Sequence, residues 1–225
     1  MPAVFDPHKH HYIEPGDPTP FAYEPGWTLA EWAEPGAFVS DALPAGCERL
    51  VVLDRLPNHG GAPDGDAESR LRSWSQTGWE RFDAMHAKAR DRARERGVVL
   101  LVRPSSAGML SDAVSTLNWV ARGGGRDAML MLDPMGWIVA SMMRDLPDHL
   151  DRICALCIEM VEHGRVGCVL MRSYRGAAMD RASLTDGDAD ASVVIRHLGP
   201  LIERAPLVGV LEGADLGMLG AHGPQ

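Results

Sequence analysis

The stretch MLMLDPMGW, residues 129–137, places four apolar residues directly before an aspartate and a proline. A short, continuously apolar run of this kind is typical of a strand in a parallel sheet that helices bury on both faces. Such a strand would end at Asp133 and present its carboxylate at the C-terminal edge of the sheet. The role of this carboxylate, and the identity of its partners, is the first question about function.

Five further apolar runs predict strands, each bounded by glycine, proline or charged residues. They are AVFD (3–6), RLVVLD (49–54), VVLLVRP (98–104), VGCVLMR (166–172) and PLVGVLEG (206–213). Apolar residues at helical spacing lie between the later runs, over 79–93, 110–121, 146–161 and 191–204. Strands that alternate with helices, without a hairpin signal, predict right-handed βαβ crossovers and a parallel α/β sheet.

Two architectures fit this alternation. A nucleotide-binding doubly wound sheet commonly carries GxGxxG or GxxxxGK[ST] after its first strand, and neither motif occurs there. A (β/α) barrel fits the pattern equally well. Because a typical barrel needs about 250 residues, the 225 residues of this chain would form a trimmed or incomplete barrel as a single domain.

The first 47 residues differ in composition from the rest of the chain. EPG occurs there three times, at 14–16, 24–26 and 34–36, which predicts an extended, proline-rich segment with strand 3–6 and one short helix near Thr28–Trp32. Residues 48–215 would carry the βα repeats. Two long polar loops, 58–68 and 181–192, interrupt these repeats, and loops of this kind commonly carry binding residues.

Composition and charge limit the classes of partner. The net charge of −9 disfavours nucleic acid, because that binding neutralises phosphates with lysine and arginine. No apolar run is long enough to span a bilayer, and the N-terminus lacks a secretory pattern. We therefore expect a cytoplasmic protein with a small-molecule substrate, bound to neither nucleic acid nor membrane; assembly into a homo-oligomer stays open.

Four cysteines are present, and two of them form a CxxC motif. Cys154 and Cys157 lie inside the predicted helix 146–161, and no second pair follows at zinc-ribbon spacing. Zinc ribbons need two such pairs. We expect both thiols to be small core residues.

Charged and imidazole side chains follow the predicted strands, at the ends where parallel α/β folds place active sites. Acids and imidazoles in one cleft suit acid/base chemistry, and arginines suit carboxylate or phosphate oxygens. His59, on the glycine-rich loop after strand 49–54, is a further candidate for ligand contact. The strand-end residues are Asp6 with His8, His10 and His11; Asp54 and Arg55; Arg103; Asp133; Arg172 with Tyr174 and Arg175; and Glu212.

Several longer segments carry a resemblance to a known family. They are GWERFDAMHAKARDRARERGVVLLVRP, then AMLMLDP, then GRVGCVLMRSYRG, with a last strand that ends in glutamate. Over residues 45–215 this succession resembles the sugar phosphate isomerase/epimerase superfamily, the xylose isomerase-like TIM barrels. The resemblance implies a TIM-type barrel, isomerase, epimerase or lyase chemistry on a polar, oxygen-rich small molecule, and a divalent metal at the barrel mouth.

The ligand positions of that family are only partly kept. Asp133 matches the family's aspartate and Glu212 its terminal glutamate, whereas Arg103 stands at its first glutamate. The remaining family positions, two histidines, a lysine and an aspartate, are occupied by Gly136, Leu170, Arg172 and Ser173. The resemblance therefore implies a degenerate metal site.

Two carboxylates with an arginine beside them make a poor cation site, so we expect no tightly held Zn, Mn or Mg. Arg103 would instead pair with Asp133 or Glu212 in a charge-assisted bidentate hydrogen bond.

A competing route to a metal starts from DPHKHH (6–11), whose D-x-H-x-H pattern resembles the first strand of metal-dependent amidohydrolases. His8 and His10 would then bind zinc together with Asp133 or Glu212 and serve a hydrolase. A surface histidine cluster explains the same residues.

Besides this hydrolase, two functions stay open from the sequence. In the first, the protein is an isomerase, epimerase or lyase in which Asp133, Glu212, His8 or His10 moves a proton beside a carbonyl group. In the second, it is a non-catalytic binding or partner subunit built on the same barrel. Because arginines replace the lost ligands, we expect changed chemistry and hence an enzyme. The residues predicted to bind its substrate are Arg103, Arg172, His59, Tyr174 and Arg175.

Overall fold

The structure is a computed structural model that describes residues 3–5, 26–30, 47–54, 56, 74–122, 125, 127–176, 179–210, 215, 218 and 219. Its helices are α1 (Gln76–Glu95), α2 (Ala113–Ala121), α3 (Leu146–Glu162) and α4 (Ala191–Arg204), with short 3-10 helices at Pro134–Trp137 and Ala140–Asp145. Its strands are β1 (Ala3–Phe5), β2 (Gly26–Ala30), β3 (Cys47–Leu53), β4 (Val99–Arg103), β5 (Met129–Leu132), β6 (Val166–Met171), β7 (Ser173–Arg175), β8 (Asp180–Ala182) and β9 (Leu207–Val210).

Seven of the described strands form one parallel sheet in the order β1-β9-β6-β5-β4-β3-β2. From β2 onward, each strand pairs with the next strand of this sheet along the chain, and the last one, β9, pairs with β1 from Ala3↔Leu207 to Phe5↔Gly209. A doubly wound sheet instead reverses its strand order at a switch point. Sequential order with the last strand beside the first is the order of a barrel. The predicted trimmed (β/α) barrel is confirmed.

The buried apolar residues divide into an outer core and an interior core. The outer core combines strand residues with buried residues from all four helices, such as Phe82, Trp119, Leu150 and Leu198. Among the described residues, the interior core is built from strand residues alone: Val51, Leu53, Leu101, Met131, Cys168 and Leu170. Side chains alternate along a strand. Positions two residues beyond Leu101, Met131 and Leu170 therefore continue the interior face, and they are Arg103, Asp133 and Arg172.

Capping side chains explain where three of the helices begin. Ser75 Oγ accepts from Gly78 N at 3.2 Å before α1, and Asp112 Oδ1 accepts from Ser115 N at 2.7 Å before α2. Asp190 accepts from the second residue of α4 at 2.8 Å. These are residue types that satisfy the first backbone N–H groups of a helix. The four predicted helices are confirmed, and no described helix is long and apolar enough to cross a membrane.

Two predictions about strands are wrong. The segment expected to form a short helix near Thr28–Trp32 is β2 over Gly26–Ala30, which pairs with β3 in parallel. A neighbouring strand outweighs local preference there, because strand formation depends on context. The sequence also predicted no hairpin, yet β7 and β8 pair antiparallel, from Ser173↔Ala182 to Arg175↔Asp180. The loop predicted at 181–192 therefore begins inside a strand, and the hairpin follows directly after β6.

The cysteines of the CxxC motif are core residues, as predicted. Cys154 and Cys157 are buried on α3. Burial raises the pKa of both thiols, which disfavours the reactive thiolate form.

Candidate active site

Asp133 directly follows β5 and is completely buried. It is the N-cap of the 3-10 helix Pro134–Trp137, where its Oδ1 accepts from Gly136 N at 3.0 Å. Aspartate at an N-cap and proline at the next position both favour a helix start. The segment DPMG thus orients the carboxylate, and Gly136 contributes a backbone donor.

Arg172, directly after β6, holds both oxygens of Asp133. Its Nε lies 2.9 Å from Oδ1 and 2.9 Å from Oδ2. Its Nη2 donates to the hydroxyl oxygen of Tyr174 at 2.9 Å, and its guanidinium carbon lies 4.4 Å from the centre of the Tyr174 ring. Charge-assisted hydrogen bonds and a cation–π contact therefore fix this guanidinium in the barrel.

Arg103, the last residue of β4, makes a second ion pair with the same carboxylate. Its Nε lies 3.2 Å from Asp133 Oδ2, and the side chains are 4% and 0% exposed. The predicted ion pair of Arg103 is confirmed, while the two-oxygen contact expected of it is made by Arg172. We call Arg103, Asp133, Arg172 and Tyr174 the arginine cluster. Among the described residues it joins two guanidinium groups to one carboxylate.

The hydroxyl group of Tyr174 is a proton donor within this cluster. Burial raises the pKa of Tyr174, and the positive charge of Arg172 opposes that rise. The hydroxyl oxygen accepts from Arg172, and no described residue accepts its proton in return. Tyr174, on the hairpin β7–β8, therefore carries a donor that a ligand oxygen would satisfy.

The described residues do not fit the divalent metal that the family resemblance implies. Mg²⁺, Mn²⁺ and Zn²⁺ need several oxygen or imidazole donors, whereas both oxygens of Asp133 face guanidinium groups that repel a cation. The described part of the chain contains no group of three histidine, cysteine, aspartate or glutamate side chains that could hold a metal. Because His8, His10 and Glu212 lie outside the described residues, the expectation about metal stays a prediction.

The other predicted site residues fall into two groups. Arg175, expected to bind substrate, lies on β7 with 60% of its side chain exposed, and its Nη2 donates to Asp186 O at 3.1 Å. The structure thus brings Tyr174 into the arginine cluster and ties Arg175 to the loop after β8. The remaining candidates lie outside the described residues, and their placement stays a prediction: Asp6, His8, His10, His11, Arg55, His59 and Glu212.

Asp54, directly after β3, has a role that the sequence did not show. It is completely buried, and its carboxylate accepts from Leu110 N at 2.8 Å and from Ser105 Oγ at 3.1 Å. Burial raises the pKa of Asp54 to about 6, although these hydrogen bonds lower it. Its donors lie 56 and 51 residues away. The only sequence signal was its place at a strand end.

Comparison with known proteins shows which fold this architecture has. No family model matches the sequence, and no curated protein matches it. A mannonate dehydratase from Streptococcus suis serotype 2 superposes with a TM-score of 0.50 at 11% identity, over 92% of this chain and 84% of that chain. The fold is a trimmed TIM-type barrel.

A D-allulose 3-epimerase from Methylomonas sp. is more distant, with a TM-score of 0.39 and 15% identity over 78% of this chain and 56% of the epimerase. At 11% identity, the structural similarity to the dehydratase shows the fold, and the chemistry has to be inferred from the residues of the site. In the TIM-type barrel the arginine cluster stands at the C-terminal ends of β4, β5 and β6, where TIM-barrel enzymes have their active sites.

Proposed function

We propose that this protein is a small TIM-barrel enzyme, similar in kind to sugar isomerases and epimerases, that catalyses an isomerisation, an epimerisation or a lyase step. Its substrate is a polar, oxygen-rich small molecule. The observation that carries the proposal is the arginine cluster, in which two buried arginines and a tyrosine are held around one carboxylate at the ends of adjacent strands. Preorganised donors at a barrel mouth are suited to stabilising charge that develops on an oxygen atom.

The charge of the cluster favours a substrate with a carboxylate or a phosphate group. The described residues give two guanidinium groups for one carboxylate, and guanidinium groups match planar oxygens. The structurally similar dehydratase is named for mannonate, which is a sugar acid. Mannonate and related sugar acids are therefore the first compounds to test.

We assign orientation to Asp133 and proton transfer to the other residues that the sequence predicts for that step. Asp133 accepts hydrogen bonds from Arg172 Nε and Gly136 N and forms an ion pair with Arg103, so its oxygens are already engaged. Glu212, His8 or His10, which the sequence predicts at strand ends, would remove the proton beside the carbonyl group. The guanidinium groups would stabilise the resulting enolate oxygen, and the Tyr174 hydroxyl would donate to a substrate oxygen.

Solvent-deuterium uptake tests this proposal whatever the product is. The wild-type protein would be incubated in deuterium oxide with sugar acids, sugar phosphates and neutral sugars, and the compounds followed by NMR. We expect exchange or product formation with a carboxylate- or phosphate-bearing compound. Tyr174→Phe should lower kcat/KM by about 100-fold, the lower range for loss of one hydrogen-bond donor to an oxygen that develops negative charge. Arg165→Gln, at the other end of β6, is the matched control and should leave the rate unchanged.

A barrel that binds sugar acids without catalysing a reaction would give a different result. If no compound exchanges or reacts while sugar acids still bind, and if Arg172→Gln abolishes that binding, the barrel is a binding subunit and the enzymatic proposal is wrong.

A further inference from the structure

The loop from Ser105 to Leu110 is held on one side by Asp54. Leu110 N donates to Asp54 Oδ2 at 2.8 Å, and Ser105 Oγ donates to Oδ1 at 3.1 Å. Met109 N also donates to the backbone oxygen of Asp54 at 2.8 Å. Three hydrogen bonds that the loop donates to Asp54 therefore define how it lies over the end of β3.

The same loop is bonded on its other side to the turn that carries Asp133. Ser106 N donates to Gly136 O at 2.9 Å, and Trp137 Nε1 donates to Leu110 O at 2.9 Å. Gly136 N in turn donates to Asp133 Oδ1 at 3.0 Å. A continuous series of hydrogen bonds thus connects Asp54 with the carboxylate that holds both arginines.

The space at both ends of this series leaves little room for independent movement. A Cβ atom on Gly108 would overlap Asp54 Oδ1, and one on Gly136 would stand 2.9 Å from Asp133 Oδ2. Leu110 and Trp137 between them are buried. Closely packed interiors transmit displacement instead of absorbing it, so a change at Asp54 would reach the turn at Gly136.

We propose that Asp54 is a positioning residue of the candidate site, which holds the Ser105–Leu110 loop and, through the Gly136 turn, orients the Asp133 carboxylate toward Arg172. The catalytic role that this proposal gives to Asp54 rests on the proposed function. The orientation of the Asp133 carboxylate can be measured without a substrate. A purely structural role would let Asp54 support folding while the Arg172–Asp133 contact stays unchanged.

The ionisation of Asp54 gives this connection a pH dependence. Burial raises the pKa of Asp54 to about 6, hydrogen bonds from Leu110, Ser105 and its own backbone lower it, and no charged side chain contributes among the described residues. The groups of the Ser105–Leu110 loop that face the carboxyl group are neutral. A protonated carboxyl group accepts a hydrogen bond less strongly than a carboxylate. The loop, and with it Asp133, would therefore respond to the proton on Asp54.

NMR of the arginine Nε–H groups measures the orientation directly, because Arg172 Nε donates to both oxygens of Asp133. In nitrogen-15-labelled wild-type protein, we expect the Arg172 Nε–H resonance to follow one transition with its midpoint at about 6. In Asp54→Asn, whose amide keeps an acceptor for Leu110 N and a donor for Ser105 Oγ, the transition disappears. In Asp54→Ala, the same N–H should exchange with solvent about ten-fold faster, as locally weakened structure does.

Two further variants separate positioning from general weakening. Ser105→Ala removes a hydrogen bond that lowers the pKa of Asp54, so the midpoint in the Arg172 resonance should move upward. Asp112→Asn removes the same charge two residues beyond the loop, at an exposed N-cap where asparagine caps equally well. It should leave the Arg172 resonance unchanged.

An Arg172 resonance that is identical in wild type and Asp54→Asn across the pH range would overturn the proposal, and so would an unchanged midpoint in Ser105→Ala. Failure of the proposed function gives a different result. The protein would then show no turnover, while the Arg172 resonance would still follow the ionisation of Asp54.

Discussion

Asp54 and Asp133 are the same residue type in equivalent places, directly after β3 and β5, and neither is exposed to solvent. Their surroundings are opposite. Asp133 continues the interior face of the barrel and contacts the guanidinium groups of Arg103 and Arg172. Asp54 lies on the outer side, where its described hydrogen-bond donors, a backbone N–H and a hydroxyl group, are neutral.

The difference shows that burial alone does not decide what a carboxylate does. Burial disfavours the charged form of an acid, whereas cationic donors favour it. Neutral donors leave the effect of burial dominant at Asp54, whose pKa rises to about 6. Asp133 instead contacts the guanidinium groups of Arg103 and Arg172. One strand end therefore carries the acid that holds two arginines, and the other carries an acid that gains or loses a proton at a pH of about 6.

The largest expected effect comes from removing the charge of Asp133. Asp133→Asn leaves two buried arginines without the carboxylate they share, and breaking a buried ion pair in this way costs about 3–5 kcal/mol of unfolding free energy. Urea denaturation measures the loss. Asp112→Asn serves as the control, since it changes an exposed cap by less than about 0.5 kcal/mol. A loss below about 1 kcal/mol for Asp133→Asn would mean that the cluster is not electrostatically coupled.

Asp54→Asn should act in the opposite direction at neutral pH. The folded-state pKa of Asp54, about 6, lies above its ordinary value of 3.8, so its stabilising contribution is complete below 3.8 and is lost as pH rises through about 6. Since one pKa unit corresponds to about 1.4 kcal/mol, the whole difference is about 3 kcal/mol. Asp54→Asn should therefore be more stable than wild type above pH 7, and the advantage should shrink as pH falls toward 5.

The measurement is the difference between the two proteins at each pH, because His86 titrates in the same range. Burial lowers the pKa of His86 to about 4, so the stability that its neutral form contributes is lost as pH falls from 6.5 through about 4. This opposes the effect of Asp54 in wild type and cancels in the difference. A constant difference between pH 5 and pH 8 would show that Asp54 is not the group that titrates.

Removing one of the two arginines should cost less than removing the acid. Arg103→Met keeps apolar volume and leaves Asp133 with Arg172, so we expect a loss of about 2 kcal/mol in unfolding free energy, below the range for a fully broken buried pair. The matched control is Arg90→Met, whose ion pair with Asp127 lies at the surface and should contribute less than about 1 kcal/mol. Equal losses of unfolding free energy in Arg103→Met and Arg90→Met would show that the buried ion pair contributes no more than the surface pair.

The smallest effect tests the packing around Asp54. Gly108→Ala would place a Cβ atom on top of Asp54 Oδ1, and overpacking of this kind costs about 1–2 kcal/mol. Gly199→Ala on α4, where nothing lies within 4 Å of the added atom, should instead raise stability by about 0.5–1 kcal/mol, since alanine favours a helix more than glycine does. Thermal unfolding should give a lower midpoint temperature than wild type for Gly108→Ala and a higher one for Gly199→Ala.

Much of the architecture follows from local sequence patterns. The four helices and the apolar strands follow from the spacing of apolar residues and from residues such as Asp112 and Asp190 that cap helices. By contrast, β2 and the hairpin β7–β8 depend on a neighbouring strand, which no local pattern shows. The Gly26–Ala30 segment is extended because β3 lies beside it.

The sequence by itself determined the βα order and the placement of Arg103, Asp133 and Arg172 at strand ends, because side-chain periodicity is a property of neighbouring residues. Its alternation of strands and helices fitted a doubly wound sheet and a barrel equally, and the pairing of β9 with β1 decided for the barrel. Only the tertiary structure decided that Arg172 takes both oxygens of Asp133, 39 residues away. It likewise decided that Asp54 anchors a loop 51 to 56 residues along the chain. Choosing a partner requires the distance between residues far apart in sequence, and folding alone sets that distance.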